Sequence, residues 1–156
     1  MKLKSVITIS IVLIAMFIIS CSNDNSNAND AGTMDADAVK NAVINGDGQI
    51  SYYFDTDKEE TLEYAGFVFN FNADGSLSAT DGNTALSGAW SRTVADNSTD
   101  DLSDDDVDFN ILFATPAKFE KLSDDWEIKT YSANKIELID VSGGNGGTDL
   151  LTFEKI

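Results

Sequence analysis

The chain predicts an all-β domain: an eight-stranded antiparallel up-and-down barrel, preceded by a short helix and a disordered tether. Three observations carry this reading. After Gly46 the apolar residues recur with period two, the repeat of a strand with one buried face. The apolar runs are short, nearly evenly spaced and bounded by Gly, Asn, Asp and Ser clusters, as in barrels and sandwiches. The connections are mostly short, so each strand pairs with its neighbour in sequence, and closure of the ring removes exposed edges.

The helix precedes the strands. Asp35 is a suitable N-cap, Ala38, Val39, Ala42 and Val43 form an apolar stripe at helical spacing, and Asn45-Gly46 is a stop. The first strand is read over residues 49–55, with Ile50, Tyr52 and Phe54 on one face. The second covers 63–72, where Phe67, Phe69 and Phe71 alternate with Gly66, Val68 and Asn70. A tight turn over 72–75, with Gly75 at positive φ, leads to the third strand, 76–80. The fourth, 85–93, places Leu86, Gly88 and Trp90 together. The fifth, 107–114, places Val107, Phe109, Ile111 and Phe113 together, and Pro116 bars it from continuing as a central strand. A short helical turn over 117–122 separates it from the sixth, 125–131, which carries Trp126 and Ile128 inward. The seventh, 135–141, joins the eighth, 149–154, through a glycine-rich loop.

The N-terminus has a different organisation. Met1-Lys2-Leu3-Lys4 is basic, Val6 to Ile19 is almost wholly apolar, and Ile18-Ile19-Ser20-Cys21 follows. The apolar run of about 14 residues suits a signal-peptide core and is short of the roughly 20 that a spanning helix needs. The tetrapeptide resembles the lipobox of bacterial lipoproteins. That resemblance implies cleavage after residue 20, lipidation of Cys21 and attachment to a membrane. Residues 21–34 are then the lipidated cysteine and a flexible tether, too poor in large apolar groups to offset the entropy of ordering, and 35–156 is the barrel domain. Ser22 after the cysteine is similar to sorting signals for the outer membrane, and the nearby Asp24 to those for surface exposure.

The segment from Gly48 to Ile156 resembles the lipocalin-like domain of small bacterial lipoproteins, a family of unknown function. The resemblance rests on Ile50-Ser51-Tyr52-Tyr53-Phe54, Ala73-Asp74-Gly75-Ser76-Leu77, Leu86-Ser87-Gly88-Ala89-Trp90, Asp124-Asp125-Trp126-Glu127-Ile128, Ile136-Glu137-Leu138 and Leu151-Thr152-Phe153-Glu154-Lys155. It implies a barrel and no particular ligand. The tryptophan that such families carry on the first strand after a glycine has no counterpart beside Gly48.

Composition narrows the function. The chain has 27 acidic and 10 basic residues and a formal charge of −17. Cleavage after residue 20 removes two lysines and no acid, which takes the charge to −19. Such a surface repels nucleic acid. There is no histidine, hence no imidazole base, nucleophile partner or metal ligand, and the expectation is that the protein is not an enzyme. Two candidate sites remain. Phe67, Phe69, Phe71, Trp90, Phe109, Phe113 and Trp126 either line a cavity for a small apolar ligand or fill the interior. An eight-stranded barrel allows both, and short strands with this many rings favour filling. The acidic run with Asp96, Asp100, Asp101, Asp104, Asp105, Asp106 and Asp108 is either a Ca²⁺ site, a hard cation wanting six to eight oxygens, or a solvated, self-repelling loop, which charge alone favours. Apart from Ca²⁺, no cofactor is expected. Asn45 to Ile50 imitates the middle of an EF-hand, but Val43 and Phe54 occupy its first and last ligand positions and coordinate nothing. Two functions follow from these sites: a lipid-anchored small-ligand-binding module, slightly preferred through the fold resemblance, or a filled barrel that meets a protein partner or Ca²⁺ through acidic loops.

Overall fold

The computed structural model describes residues 35–44, 46–94, 107–141 and 147–156. The predicted signal peptide, Cys21, the tether and the acidic run through Asp106 lie outside the described residues.

The chain forms helix α1 (Ala36–Ile44), strands β1 (Gly48–Asp55) and β2 (Lys58–Glu59), a 3₁₀ turn (Thr61–Tyr64), and strands β3 (Val68–Phe71), β4 (Ser76–Thr80), β5 (Ala85–Val94) and β6 (Val107–Leu112). Helix α2 (Ala117–Glu120) precedes β7 (Asp124–Tyr131), β8 (Lys135–Val141) and β9 (Thr148–Lys155). Strands β3 to β9 pair in sequence order, every pair antiparallel, and β1 closes the ring against β9 on one side and β3 on the other. The two-residue β2 only folds back on the end of β1. The result is the predicted closed eight-stranded meander.

Local chemistry explains the elements. The Asp35 carboxylate accepts hydrogen bonds from the backbone N–H groups of Asp37 (2.9 Å) and Ala38 (3.3 Å), satisfying orphan donors of the first turn of α1. Gly75, at φ 87°, donates its N–H to the Asn72 carbonyl at 3.0 Å and closes the β3–β4 hairpin. β6 stops at Leu112, and the Ser123 hydroxyl takes over from the ladder: it accepts from the Phe113 N–H at 2.7 Å and donates to the Phe113 carbonyl at 3.2 Å.

Three predicted details need correction. The strand read over 63–72 is only Val68–Phe71, because residues 61–64 coil into the 3₁₀ turn. Tyr52 does not share the inner face with Ile50: Ser51 is an extra residue between the pairs Ile50–Phe153 and Tyr52–Thr152, so Tyr53 turns inward and Tyr52 outward. Phe54 is only half-buried.

The β1–β3 seam is thin. These strands share a single pairing, Gly48 with Phe69. Farther along β1, the 3₁₀ segment replaces the missing neighbour: the Tyr53 N–H donates to Thr61 Oγ1 at 2.9 Å, and the Glu60 N–H to the Tyr53 carbonyl at 2.9 Å. Gly88 marks the tightest contact across the wall. A Cβ there would lie 2.5 Å from the Leu112 carbonyl oxygen and 2.9 Å from the Phe113 ring. Gly88→Ala should therefore destabilise the barrel by about 1–3 kcal/mol, read as a lower urea midpoint at unchanged slope.

Candidate functional site

The interior is the first place where a ligand would be sought, and it is filled with side chains. Six of the seven predicted rings, Phe69, Phe71, Trp90, Phe109, Phe113 and Trp126, are buried; Phe67 is half-buried and packs on Phe119. They join rings that the sequence did not single out: Tyr53, Tyr64, Phe119 and Phe153. Edge-to-face contacts run through the barrel from Tyr53 to Tyr64 (5.4 Å between centroids) and Phe119 (5.5 Å). Phe119 meets Phe69 at 6.1 Å, Phe69 meets Phe153 at 5.2 Å, and Phe71 joins Phe153 to Trp90. The polar tips of these rings are used internally. Trp90 Nε1 donates to the Asn72 carbonyl at 2.9 Å and Trp126 Nε1 to the Leu122 carbonyl at 3.1 Å. Burial first of all pushes the Tyr53 and Tyr64 hydroxyls above the usual phenol range.

Both ends are stopped. Helix α1 caps the end where β1 begins, with Val39 and Val43 buried in the core. Arg92 ties the helix down, donating from Nη2 to the Asp37 carboxylate at 2.7 Å. Its Nη1 is buried with no hydrogen-bond partner among the described residues. The space left between α1 and Phe71, Ile136 and Phe153 is about 20 Å³, close to the minimum for a single water.

At the opposite end α2 is held by the two tyrosines: Tyr53 Oη donates to the Lys121 carbonyl at 3.0 Å and Tyr64 Oη to the Lys118 carbonyl at 2.7 Å. An ionic clasp lies beside them. The Glu60 side chain, 7 % exposed, accepts from Lys121 Nζ at 2.6 Å and Lys58 Nζ at 2.7 Å, and Lys121 also reaches Asp55 at 3.0 Å. The hydrogen bond from Lys121, then that from Lys58, pulls the Glu60 carboxyl below its ordinary value of 4.5. The Lys121 ammonium is in turn raised, first by Glu60 and then by Asp55.

Of the acidic run, only Asp108 lies among the described residues, in β6 opposite Thr93 and Glu127. Among the described residues no group of acidic side chains is arranged to hold a metal ion.

No protein-family model and no curated protein matches the chain. Its structure is similar to the crystal structure of a DUF4847 family protein from Bacteroides vulgatus ATCC 8482. The two share 16 % identity at a TM-score of 0.47 over 76 % of this chain and 97 % of that one.

Because the folded-state pKa of Glu60 is depressed, the clasp contributes its full stability above the ordinary glutamate range. It loses that contribution as the pH falls through the lowered folded value. Chemical denaturation between about pH 6 and pH 3 should show this loss in the native protein. Glu60→Gln should be less stable at neutral pH and lose less on acidification.

Proposed function

We propose that the protein is an exported, lipid-anchored, non-catalytic module of the cell envelope that binds through the outside of a filled barrel. The observation that carries the choice of surface is the interior. Buried rings occupy the barrel and the cleft where α1 meets its mouth offers about 20 Å³, whereas concavities of about 480 and 520 Å³ open on the outer wall and between α1 and the β7–β8 hairpin. Ligand sites usually occupy about 300–1,000 Å³. A small apolar ligand within the barrel would have to displace buried rings, each costing several kcal/mol to unseat.

The anchoring half of the proposal rests on the basic Met1–Lys4 segment, the short apolar run to Ile19 and the Ser20-Cys21 junction. Outer-membrane placement follows from the likeness of Ser22 to sorting signals, and surface exposure from Asp24. The non-catalytic reading rests on a chain without histidine. A protein partner for the acidic loops, with or without Ca²⁺, belongs to the same outward-facing mode of contact.

Native mass spectrometry of the full protein, released from membranes in mild detergent, checks both halves. The expected species is the chain from Cys21 carrying acyl groups and no further organic molecule. A reproducible co-purifying small molecule, retained when the outer wall is mutated, would overturn the filled-barrel reading. Cys21→Ser should lose the acyl mass and leave residues 1–20 uncleaved; a Cys21→Ser protein still cleaved after residue 20 and still acylated would overturn the anchor.

A further inference from the structure

Two β-bulges interrupt the barrel, and they fall at the same level. Ser51 is the extra residue of β1, between the pairs Ile50–Phe153 and Tyr52–Thr152. Lys129 is the extra residue of β7, between Ile128–Leu138 and Thr130–Glu137. The register carries one row straight across the four strands between them: Tyr52 of β1 faces Thr152 of β9, Thr152 faces Glu137 of β8, and Glu137 faces Thr130 of β7. A bulge bends its strand and re-aims side chains. Two bulges at the ends of one row frame an outward concavity of about 480 Å³, whose lining includes Ser51, Tyr52, Thr152, Glu137, Lys129 and Lys135.

The lining differs from the rest of the surface. In a chain of charge −17, this patch is balanced: Lys129 and Lys135 stand with Glu137 and Glu154, and Lys135 is paired with both glutamates. Neither a simple anion nor a simple cation is favoured by such a field. The groove also presents hydroxyls that bond to nothing among the described residues, those of Ser51, Tyr52 and Thr152. Arg92 Nη1 is the one buried side-chain atom left unpaired among the described residues, so the hydroxyls of Ser51 and Thr152 reach solvent and are open to a ligand. The Tyr52 ring, 37 % exposed, adds an apolar face beside these groups.

From this geometry we infer that the outer groove across β1, β9, β8 and β7 is a binding site for a neutral saccharide. The inference rests on the outside of the barrel being the binding surface. A sugar ring combines an apolar C–H face, which matches the Tyr52 ring, with hydroxyls that both donate and accept. Ser51 and Thr152 supply groups of the same two-way kind, Glu137 accepts, and Lys129 donates.

Affinity gel electrophoresis of the full protein in detergent, through gels containing neutral glucan, xylan, galactan or mannan, tests this. At least one neutral polysaccharide should retard the wild-type protein. Tyr52→Ala and, independently, Lys129→Ala should each weaken retardation by roughly tenfold or more in Kd, with melting temperature tracked alongside. Because Lys129 is fully outward, its variant keeps the test open if Tyr52→Ala folds poorly. Unchanged mobility in every neutral gel would overturn the inference. Retardation only by an acidic polysaccharide would overturn it in favour of anion binding. Retardation that survives both substitutions would overturn this site while leaving an outer binding surface standing. The outer-surface reading itself fails separately, on a small molecule retained inside the barrel.

Discussion

Closing eight strands into a ring fixes the width of the space inside, so the inward side chains have one volume to fill. The remaining architecture depends on that constraint. Here the volume is taken by aromatic rings stacked from one end to the other, and each end is then stopped by a short helix because rings at the rim would otherwise meet water. Val39 and Val43 do this for Phe71 and Phe153, and Phe119 does it for Phe69 and Phe113. The polar tips of Tyr53, Tyr64, Trp90 and Trp126 are aimed at carbonyls of the plugs and turns, so burying these four rings leaves none of their hydroxyl or indole N–H groups unpaired.

The same constraint explains where the regular pattern breaks. A ring of strands closes only if some of them bend, and β1 bends at Ser51 while parting from β3 after Gly48. The parting exposes backbone groups of β1, and Thr61 with the backbone of Glu60 satisfies them. The segment that repairs the seam therefore cannot be a strand itself. It is also the segment fastened by the Glu60–Lys58–Lys121 clasp, which joins the end of β1 to the end of α2. Only the Glu60 carboxylate is enclosed and its lysine partners stay open to water, so the clasp fixes the geometry of the plug more than it adds to net stability.

Period two made most of the barrel legible in the sequence, with β4 and β8 matching to the residue and the others to within a few residues, β3 and the unpredicted two-residue β2 excepted. The Asp35 cap and the turn at Gly75 were legible because their chemistry is local. What escaped was set at long range. Tyr53 reads as an outward residue until the Ser51 bulge is known, and a bulge is decided by the partner strand β9 rather than by β1 alone. Tyr64 lies in a stretch whose alternation suits a strand, but no neighbour is available there to pair with it. Phe119 sits in a turn, where an aromatic residue has no period to announce its burial. The binding groove was least legible of all, since its row is assembled from four strands far apart in sequence.

The two faces of the wall then divide the work. Inward positions are committed to filling, and exchanging any of them for a binding group would leave a cavity or an unpaired polar atom. Outward positions carry no such duty. Most of them are acidic or small and keep a strongly negative chain soluble. The groove across β1, β9, β8 and β7 departs from that rule in its balanced charge and in its aromatic ring. Solubility alone calls for neither of these features. They coincide at the level where both bulges bend the wall, so the distortion that helps the barrel close also shapes its outer groove.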